Sequence, residues 1–331
     1  MMMVAKALFI GIDLGGTNTK IALVDGDGAI LERSVIPTKA MRDAEEVLDD
    51  IAREAIQLRQ RFEARGFKVW AAGIGVPGLI DWKTGVGILL PNFPGKWHGV
   101  PVKGWLEKRL EVPVTVINDV RAITLAEKRF GAGKDVQSLV MVAIGTGIGG
   151  GVVIDGELYI GKDGSAGEFG HITVEPGGVR CGCGNRGCLE AYASGPAMVA
   201  QALRALVQQN DTLIRDLVGD DLARVTPKVI AEAAKMGDSV ALEIIERSGA
   251  YIGQALSCIC VVVNPEMIVI GGGVAQAGEL LFESIRKGLR ERLFMVPVDT
   301  MKFVPAELGL DAGVVGTATW AKERLEKGVI G

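Results

Sequence analysis

The sequence predicts an α/β protein of two lobes, and three observations predict it. The chain has 331 residues, too many for one ordinary hydrophobic core, so two domains are expected. Apolar runs of strand length alternate with stretches of helical periodicity. The pattern also occurs twice. Each half reads strand, glycine turn, strand, later a helix, then a strand ending in glycine. Identity between the halves is too low for a sequence repeat, so the duplication is one of pattern only.

In the first half, Ala7 to Asp13 (ALFIGID) is an apolar run closed by an acid, the signature of a buried strand. Gly15 and Gly16 turn the chain, Thr19 to Val24 returns it, and Ile30 to Pro37 adds a third strand after the Asp-Gly turns at Gly26 and Gly28. A helix follows from about Asp43 to Arg65. Its Val47, Ile51, Ala55, Leu58 and Phe62 recur every three or four residues, and Gly66 stands where it should stop. Val69 to Val76 is the next buried strand, ending at Pro77-Gly78. A loop rich in Pro, Gly and Trp, with Asn92 and Trp97, leads to a short helix over about Val102 to Leu110 and a strand from Val114 to Asn118. Val120 to Phe130 reads as helix.

The second half opens with the strand Ser138 to Ile144. Gly145 to Gly151 (GTGIGGG) reads as a glycine turn, with Val152 to Ile154 beginning the return. Several helices follow, the longest from Ala241 to about Val262, then a strand Met267 to Ile270 running into Gly271-Gly272-Gly273. Val314, Ala318, Ala321 and Leu325 share one face of a last helix, which is placed to cross back onto the first lobe.

Composition excludes several classes. Hydrophobic residues at 48% and charged residues at 23% describe a globular chain, not a disordered one. A net charge of -4 offers no nucleic-acid surface. No apolar run is long enough to span a bilayer. The first strand begins near Ala7, leaving no room for a targeting segment or a DNA-binding domain ahead of it, so the expected compartment is the cytoplasm.

The segment Glu168 to Glu190 (EFGHITVEPGGVRCGCGNRGCLE) concentrates the chemistry. His171 is one of only two histidines, and Cys181, Cys183 and Cys188 follow it closely. Three thiols and an imidazole complete a tetrahedral zinc set with no open position for water, which makes a structural ion the expectation. Incidental thiols or a disulfide are the alternatives, and a reducing compartment argues against the disulfide. Cys258 and Cys260, in the apolar run ALSCICVVV, read as buried small hydrophobes.

Three glycine turns end strands. In Asp13-Leu14-Gly15-Gly16-Thr17, missing Cβ atoms admit a phosphate to the backbone amides, and Thr17 adds a hydroxyl. Asp13 suits a direct or water-mediated Mg²⁺ ligand. Lys20 offers charge nearby or is a solvated strand residue, and a plain hairpin explains the same letters. Gly145-Thr146-Gly147 is placed to hold phosphates from the other lobe, and Gly271-Gly272-Gly273 to leave flat backbone for a base or ribose. No GKS or GKT follows, so this is not a P-loop. Asn118-Asp119 closes a strand where open α/β sheets bind ligands. Asp119 suits a general base for a hydroxyl, though the local sequence by itself favours a helix N-cap.

Taken in order, DLGGT (13–17), GVPG (75–78), ND (118–119), GTGIGGG (145–151), EFGH (168–171), CGCGNRGCLE (181–190) and GGG (271–273) resemble the ROK family of sugar kinases and repressors. The match runs over nearly the whole chain, and CxCGxxGCxE is highly specific. Within that family the sequence is similar to bacterial-type glucokinases. The resemblance implies an actin-like, ribonuclease-H-like ATPase fold, with two lobes around a central cleft and a zinc-binding loop. The small lobe is expected over 1–118 plus 313–331 and the large lobe over 119–312.

It further implies phosphoryl transfer from ATP with Mg²⁺ to a hexose at O6, glucose first, with Asp119 as base. Asn118, Asp119, Glu168, His171 and Glu190 match sugar-binding positions, with Gly78 and Asn92 lining the pocket. Asp13, Gly15, Gly16, Thr17, Lys20, Gly145, Thr146, Gly147, Gly271, Gly272 and Gly273 match the nucleotide side. His171, Cys181, Cys183 and Cys188 match the zinc ligands, His171 giving one ring nitrogen to the metal and the other to the sugar. A homo-oligomer, dimer or tetramer, is implied too. One stretch departs from the pattern. The family's NDANAAA is here NDVRAIT, and Arg121 sets a large cation beside the site, leaving sugar preference open. N-acetylmannosamine, N-acetylglucosamine and fructose remain as acceptors and polyphosphate as donor. A sugar-sensing repressor is disfavoured for want of a DNA-reading domain, and a heat-shock-type ATPase would not need the zinc loop.

Overall fold

Alternation decides the first strand. Leu8, Ile10, Ile12 and Leu14 point to one face and pack with Val47, Leu48, Ile51, Leu58 and Phe62 of the first helix. Phe9 points to the other face and meets Val314, Ala318 and Ala321 of the last helix. A strand buried on both faces is nearly all apolar, as ALFIGIDL is. The computed structural model describes residues 7–90, 93, 97–219 and 221–330.

In chain order the elements are β1 (Ala7–Leu14), β2 (Asn18–Asp25), β3 (Ile30–Pro37), α1 (Ala44–Glu63), β4 (Lys68–Val76), β5 (Leu79–Asp81), β6 (Val86–Leu89), α2 (Val102–Leu110), β7 (Val114–Asn118) and α3 (Asp119–Phe130). There follow β8 (Leu139–Ile144), β9 (Ile148–Ile154), β10 (Glu157–Tyr159), α4 (Glu190–Ala193), α5 (Gly195–Val207), α6 (Leu213–Val218), α7 (Pro227–Lys235) and α8 (Ser239–Val263). Last come β11 (Met267–Gly271), α9 (Glu279–Arg290), β12 (Lys302–Pro305) and α10 (Ala312–Glu326).

Two five-stranded sheets result, ordered β3-β2-β1-β4-β7 and β10-β9-β8-β11-β12, with β5 and β6 pairing by themselves. In the first, β2 runs antiparallel to β1 and β3, while β4 is parallel to β1 and β7. In the second, β10 is antiparallel to β9, and β11 is parallel to β8 and β12. Once the β5–β6 hairpin is set aside, the order is the same twice. The duplication of pattern read in the sequence is therefore a duplication of topology.

The chain divides into two compact units, one of residues up to Asp135, Gly151–Ala166 and from Glu307 onward, the other of Val136–Gly150 and Gly167–Ala306. This division differs from the expected one, 1–118 with 313–331 against 119–312, and the packing shows why. Helix α3 stays with the first unit because α10 lies against it at backbone distance: a Cβ on Gly316 would come within 1.9 Å of the Ala122 carbonyl oxygen. Glu127, wholly buried, accepts hydrogen bonds from the backbone N–H groups of Ala132, Glu307 and Leu308 at 2.9–3.1 Å, which draws in the start of the third segment. Leu158 and Ile160 pack around Ile117 and Trp320 and hold the middle segment. Helix α10 also lies directly on the first sheet, since Cβ atoms on Gly11 or Gly73 would meet its backbone at 1.9 Å.

Two local readings need correction. The glycines of GTGIGGG do not all turn: only 145–147 do, and β9 is already a strand at Ile148. Gly150 and Gly151 are strand residues that admit the Phe169 ring and the Thr124 side chain, which would stand 2.0 and 2.2 Å from an added Cβ. Cys258 is exposed, on the same stretch of α8 as exposed Val261 and Val262, whereas Cys260 is buried as expected.

Candidate functional site

In the first unit the β1–β2 turn is short and braced from behind. The Gly15 N–H donates to the Asn18 carbonyl at 3.2 Å. The Thr38 hydroxyl donates to the Gly15 carbonyl at 2.6 Å and lies 2.8 Å from the Thr19 hydroxyl, so two buried threonines hold the turn. Gly16 and Thr17 are left exposed at its tip. Asp13, next to last in β1, stands opposite Lys20 on β2. Lys20 Nζ stands 3.6 Å from the Asp13 carboxylate and donates to the Leu310 carbonyl at 2.8 Å, so it is anchored and not merely solvated. Burial lifts the Asp13 carboxyl above its ordinary value of 3.8, with Lys20 pulling the other way. The carboxylate fits only because residue 313 is glycine, whose added Cβ would stand 2.6 Å from it.

At the end of β7, Asn118 caps α3. Its side-chain oxygen accepts from the N–H groups of Val120 at 3.0 Å and Arg121 at 3.3 Å, and its amide donates to the Gly78 carbonyl at 3.3 Å. Asp119 is thus the first helical residue, not the cap. Asn118 carries the cap, and the half-buried Asp119 carboxylate shares the Val120 N–H with it, accepting at 2.9 Å. Gly78 bends at φ +92°. Asn92 lies outside the described residues.

In the second unit the turn Gly145–Gly147 is closed by Gly145 N–H to the Gly147 carbonyl at 2.9 Å and docked by Gly195 N–H on the Gly145 carbonyl, also 2.9 Å. Glu190 supports it from the side. Its carboxylate accepts the Ile148 N–H at 2.9 Å and occupies the space a Cβ on Gly147 would take, 2.4 Å away. No protein atom lies within 4 Å of a Cβ built on Gly145 or Gly273. Internal packing does not require glycine there, and the backbone faces open space. Gly271 and Gly272 differ: an added Cβ would stand 2.6 Å from Met141 and 2.3 Å from the Ile144 carbonyl oxygen. Gly273 and Val274 border a cavity of about 490 Å³ with Pro227, Lys228, Ala231 and Glu232 of α7. Thr146 sits between the two glycines of its turn.

His171, Cys181, Cys183 and Cys188 converge, with all four potential ligand atoms within 4.8 Å of one another. Cys183 Sγ and Cys188 Sγ are 3.7 Å apart, and Cys181 Sγ is 3.7 Å from His171 Nδ1. Zn–S bonds of about 2.3 Å in a tetrahedron separate sulfurs by about 3.8 Å, so the spacing fits zinc. Burial, with the other thiols adding to it, pushes the Cys188 thiol up to about 12, an environment that favours an uncharged sulfur unless a cation enters. Asn185 steadies the set, its amide reaching Cys188 Sγ at 3.3 Å and the Thr173 hydroxyl at 2.9 Å. The loop needs glycine at 187, where φ is +81° and a Cβ would meet the Glu175 carbonyl oxygen at 1.8 Å. With Nδ1 toward the sulfurs, His171 turns Nε2 toward Glu168, 3.9 Å away.

The structure thus gathers Gly78, Asn118 and Asp119 in the first unit, and Glu168 with His171, and Glu190 with Gly147, in the second. Sequence reasoning missed Thr38, whose only signal was a hydroxyl just after β3, and the contact of Glu190 with the turn, which has none.

Among the described residues no helix is long and apolar enough to cross a membrane. The chain is 38% identical to a glucokinase of Thermotoga maritima over 320 residues, 97% of this chain and 99% of that one. The solved structure of a ROK family glucokinase from Streptomyces griseus, in complex with glucose and AMPPNP, shares 37% identity and a TM-score of 0.81, covering 96% of this chain and 99% of its own. A ROK family transcriptional regulator, a homologue of the E. coli MLC protein, superposes with a TM-score of 0.88 at 31% identity, over 98% of this chain and 80% of its own. The fold is the actin-like α/β fold of those kinases. The sequence pattern of the ROK family matches residues 9–324, and the chain belongs to the ROK family.

Proposed function

We propose that this protein is a sugar kinase that transfers the γ-phosphoryl group of ATP to O6 of a hexose, with glucose as the preferred acceptor. The observation that carries the reading is the division of labour at the end of β7. Asn118 caps α3 and ties Gly78, and the Asp119 carboxylate, oriented at the first helical position by the Val120 N–H on its Oδ1, accepts the proton of the attacking hydroxyl in this reading. The Streptomyces griseus relative, which holds glucose and AMPPNP, supports both substrates.

In this reading Asn118, Glu168, His171 and Glu190 hold sugar hydroxyls, with Gly78 and Asn92 beside them. The exposed turn at Gly16 and Thr17, shaped by Gly15, and the turn at Thr146 and Gly147, closed by Gly145, receive phosphates in this reading, as anion-binding turns do. Gly273 borders the space for base and ribose, with Gly271 and Gly272 packed behind it. Asp13 would hold Mg²⁺ directly or through water, with Lys20 beside it offering positive charge to the phosphates. When bound, that ion neutralises charge on the phosphates. His171, Cys181, Cys183 and Cys188 would hold a structural Zn²⁺ that fixes the loop between Glu168 and Glu190. Cytoplasmic localisation and a homo-oligomer go with this reading.

The test is ADP release with Mg²⁺-ATP over glucose, mannose, N-acetylmannosamine, N-acetylglucosamine and fructose, with a polyphosphate arm. Glucose is expected to lead. Preference for an acetamido sugar keeps the chemistry and moves the specificity. No transfer from either donor to any sugar overturns the reading.

A further inference from the structure

Arg121 is the one large cation at the start of α3, and it is only 2% exposed. A guanidinium taken out of water must be well partnered, or its desolvation costs several kcal/mol. Its Nε–H donates to the carbonyl of Ala166. Ala166 in turn donates its N–H to the Ile160 carbonyl at 3.2 Å. The loop from Ile160 to Ala166 is therefore closed at its base and fastened there to the first turn of α3, the turn that Asn118 caps and Asp119 begins.

That loop forms a wall. Lys162, Asp163, Gly164 and Ser165 border a cavity of about 380 Å³ whose other side includes Gly78, Trp82 and Asn118. Gly164, at φ +88°, lies so close to Trp82 that an added Cβ would stand 2.7 Å from the indole. The Trp82 ring is itself set edge-on against Trp320 at 6.4 Å and lies 5.2 Å from the Arg324 guanidinium. One side of the cavity is thus set by the packed Trp82 ring, and the other is fastened to α3 through the Arg121 hydrogen bond to Ala166. Ala166 is also two residues before Glu168 in the chain.

We infer that Arg121 is a positioning residue for sugar selectivity: by holding the Ile160–Ala166 loop, it sets the width of the cavity beside Asn118 and so which substituents on a hexose are admitted. This rests on the sugar-kinase reading and names the part of the chain that sets its acceptor. In this account Arg121 acts through the loop.

The test is calorimetric titration of the full chain, without nucleotide, with glucose, N-acetylglucosamine and N-acetylmannosamine, comparing the parent with Arg121→Asn and Gly164→Ala. Gly164→Ala displaces the loop while leaving the buried guanidinium in place, and decides the matter if Arg121→Asn fails to fold. Loss of a buried hydrogen-bonded charge is expected to weaken glucose binding about tenfold. Both variants should shift the ratio of glucose to acetamido-sugar affinity in the same direction, and an ADP-release assay run alongside should find the KM for ATP unchanged. A parent that binds sugars and variants that keep the parent's ratio overturn the inference and leave the kinase reading standing. A parent that binds none of the sugars overturns both.

Discussion

The two halves of the chain build sheets of the same strand order and then support their ligand-facing turns by different means. In the first, the Gly15–Thr17 turn is braced by hydroxyls already in the fold, Thr38 and Thr19, and Asp119 follows directly from a strand end. In the second, the Gly145–Gly147 turn depends on Glu190, a residue of the Cys/His segment. The difference teaches that a strand end can position backbone amides by itself. A set of side chains aimed at one small molecule needs an additional frame, which a metal loop supplies without a large core.

Several substitutions break or sharpen that contrast. Asp119→Asn should lower kcat by about a hundredfold to ten-thousandfold, with sugar affinity and melting temperature near those of the parent. Asp13→Asn should also depress turnover, but with an opposite sign in stability. A carboxyl whose folded pKa is raised binds protons more readily when folded, so stability falls as pH rises from its unfolded value near 3.8 through the raised one. Above that window Asp13→Asn should melt higher than the parent, read by thermal scans at several pH values.

Removing the metal tests the second unit alone. Cys183→Ser, at the exposed ligand, should abolish stoichiometric zinc in elemental analysis and weaken sugar binding by about ten- to a hundredfold. Glu190→Gln keeps the shape but weakens the bond to the Ile148 N–H, and about 1–2 kcal/mol should appear as higher KM values for both sugar and ATP. Thr38→Val, in the first unit, should cost about 1 kcal/mol of stability and raise the KM for ATP alone by a few-fold. If Glu190→Gln leaves the nucleotide KM untouched, the contrast between hydroxyl-braced and carboxylate-braced turns is wrong.

Much of this was legible in the sequence because it is local. The apolar run of β1, the three-and-four spacing of α1 and the close Cys/His cluster each carry their own signal. The apolar face of α10 likewise gave its return to the first sheet, where Val314, Ala318 and Ala321 pack. What stayed hidden depends on distant partners. Gly150 and Gly151 look like a turn until Phe169 and Thr124 are seen against them. The cap passed from Asp119 to Asn118 because both residues suit it and only the backbone angles choose. The unit boundary missed α3 because the Ala122–Gly316 contact joins residues far apart in the chain. The short strands β5, β6, β10 and β12 have too few residues to show a period.

The most direct measurement is phosphorus and carbon NMR of the product formed from glucose and Mg²⁺-ATP by the full-length protein. The account predicts one phosphomonoester on O6, formed in step with ADP. Inorganic phosphate without a sugar ester, or a phosphate at the anomeric oxygen, would contradict it.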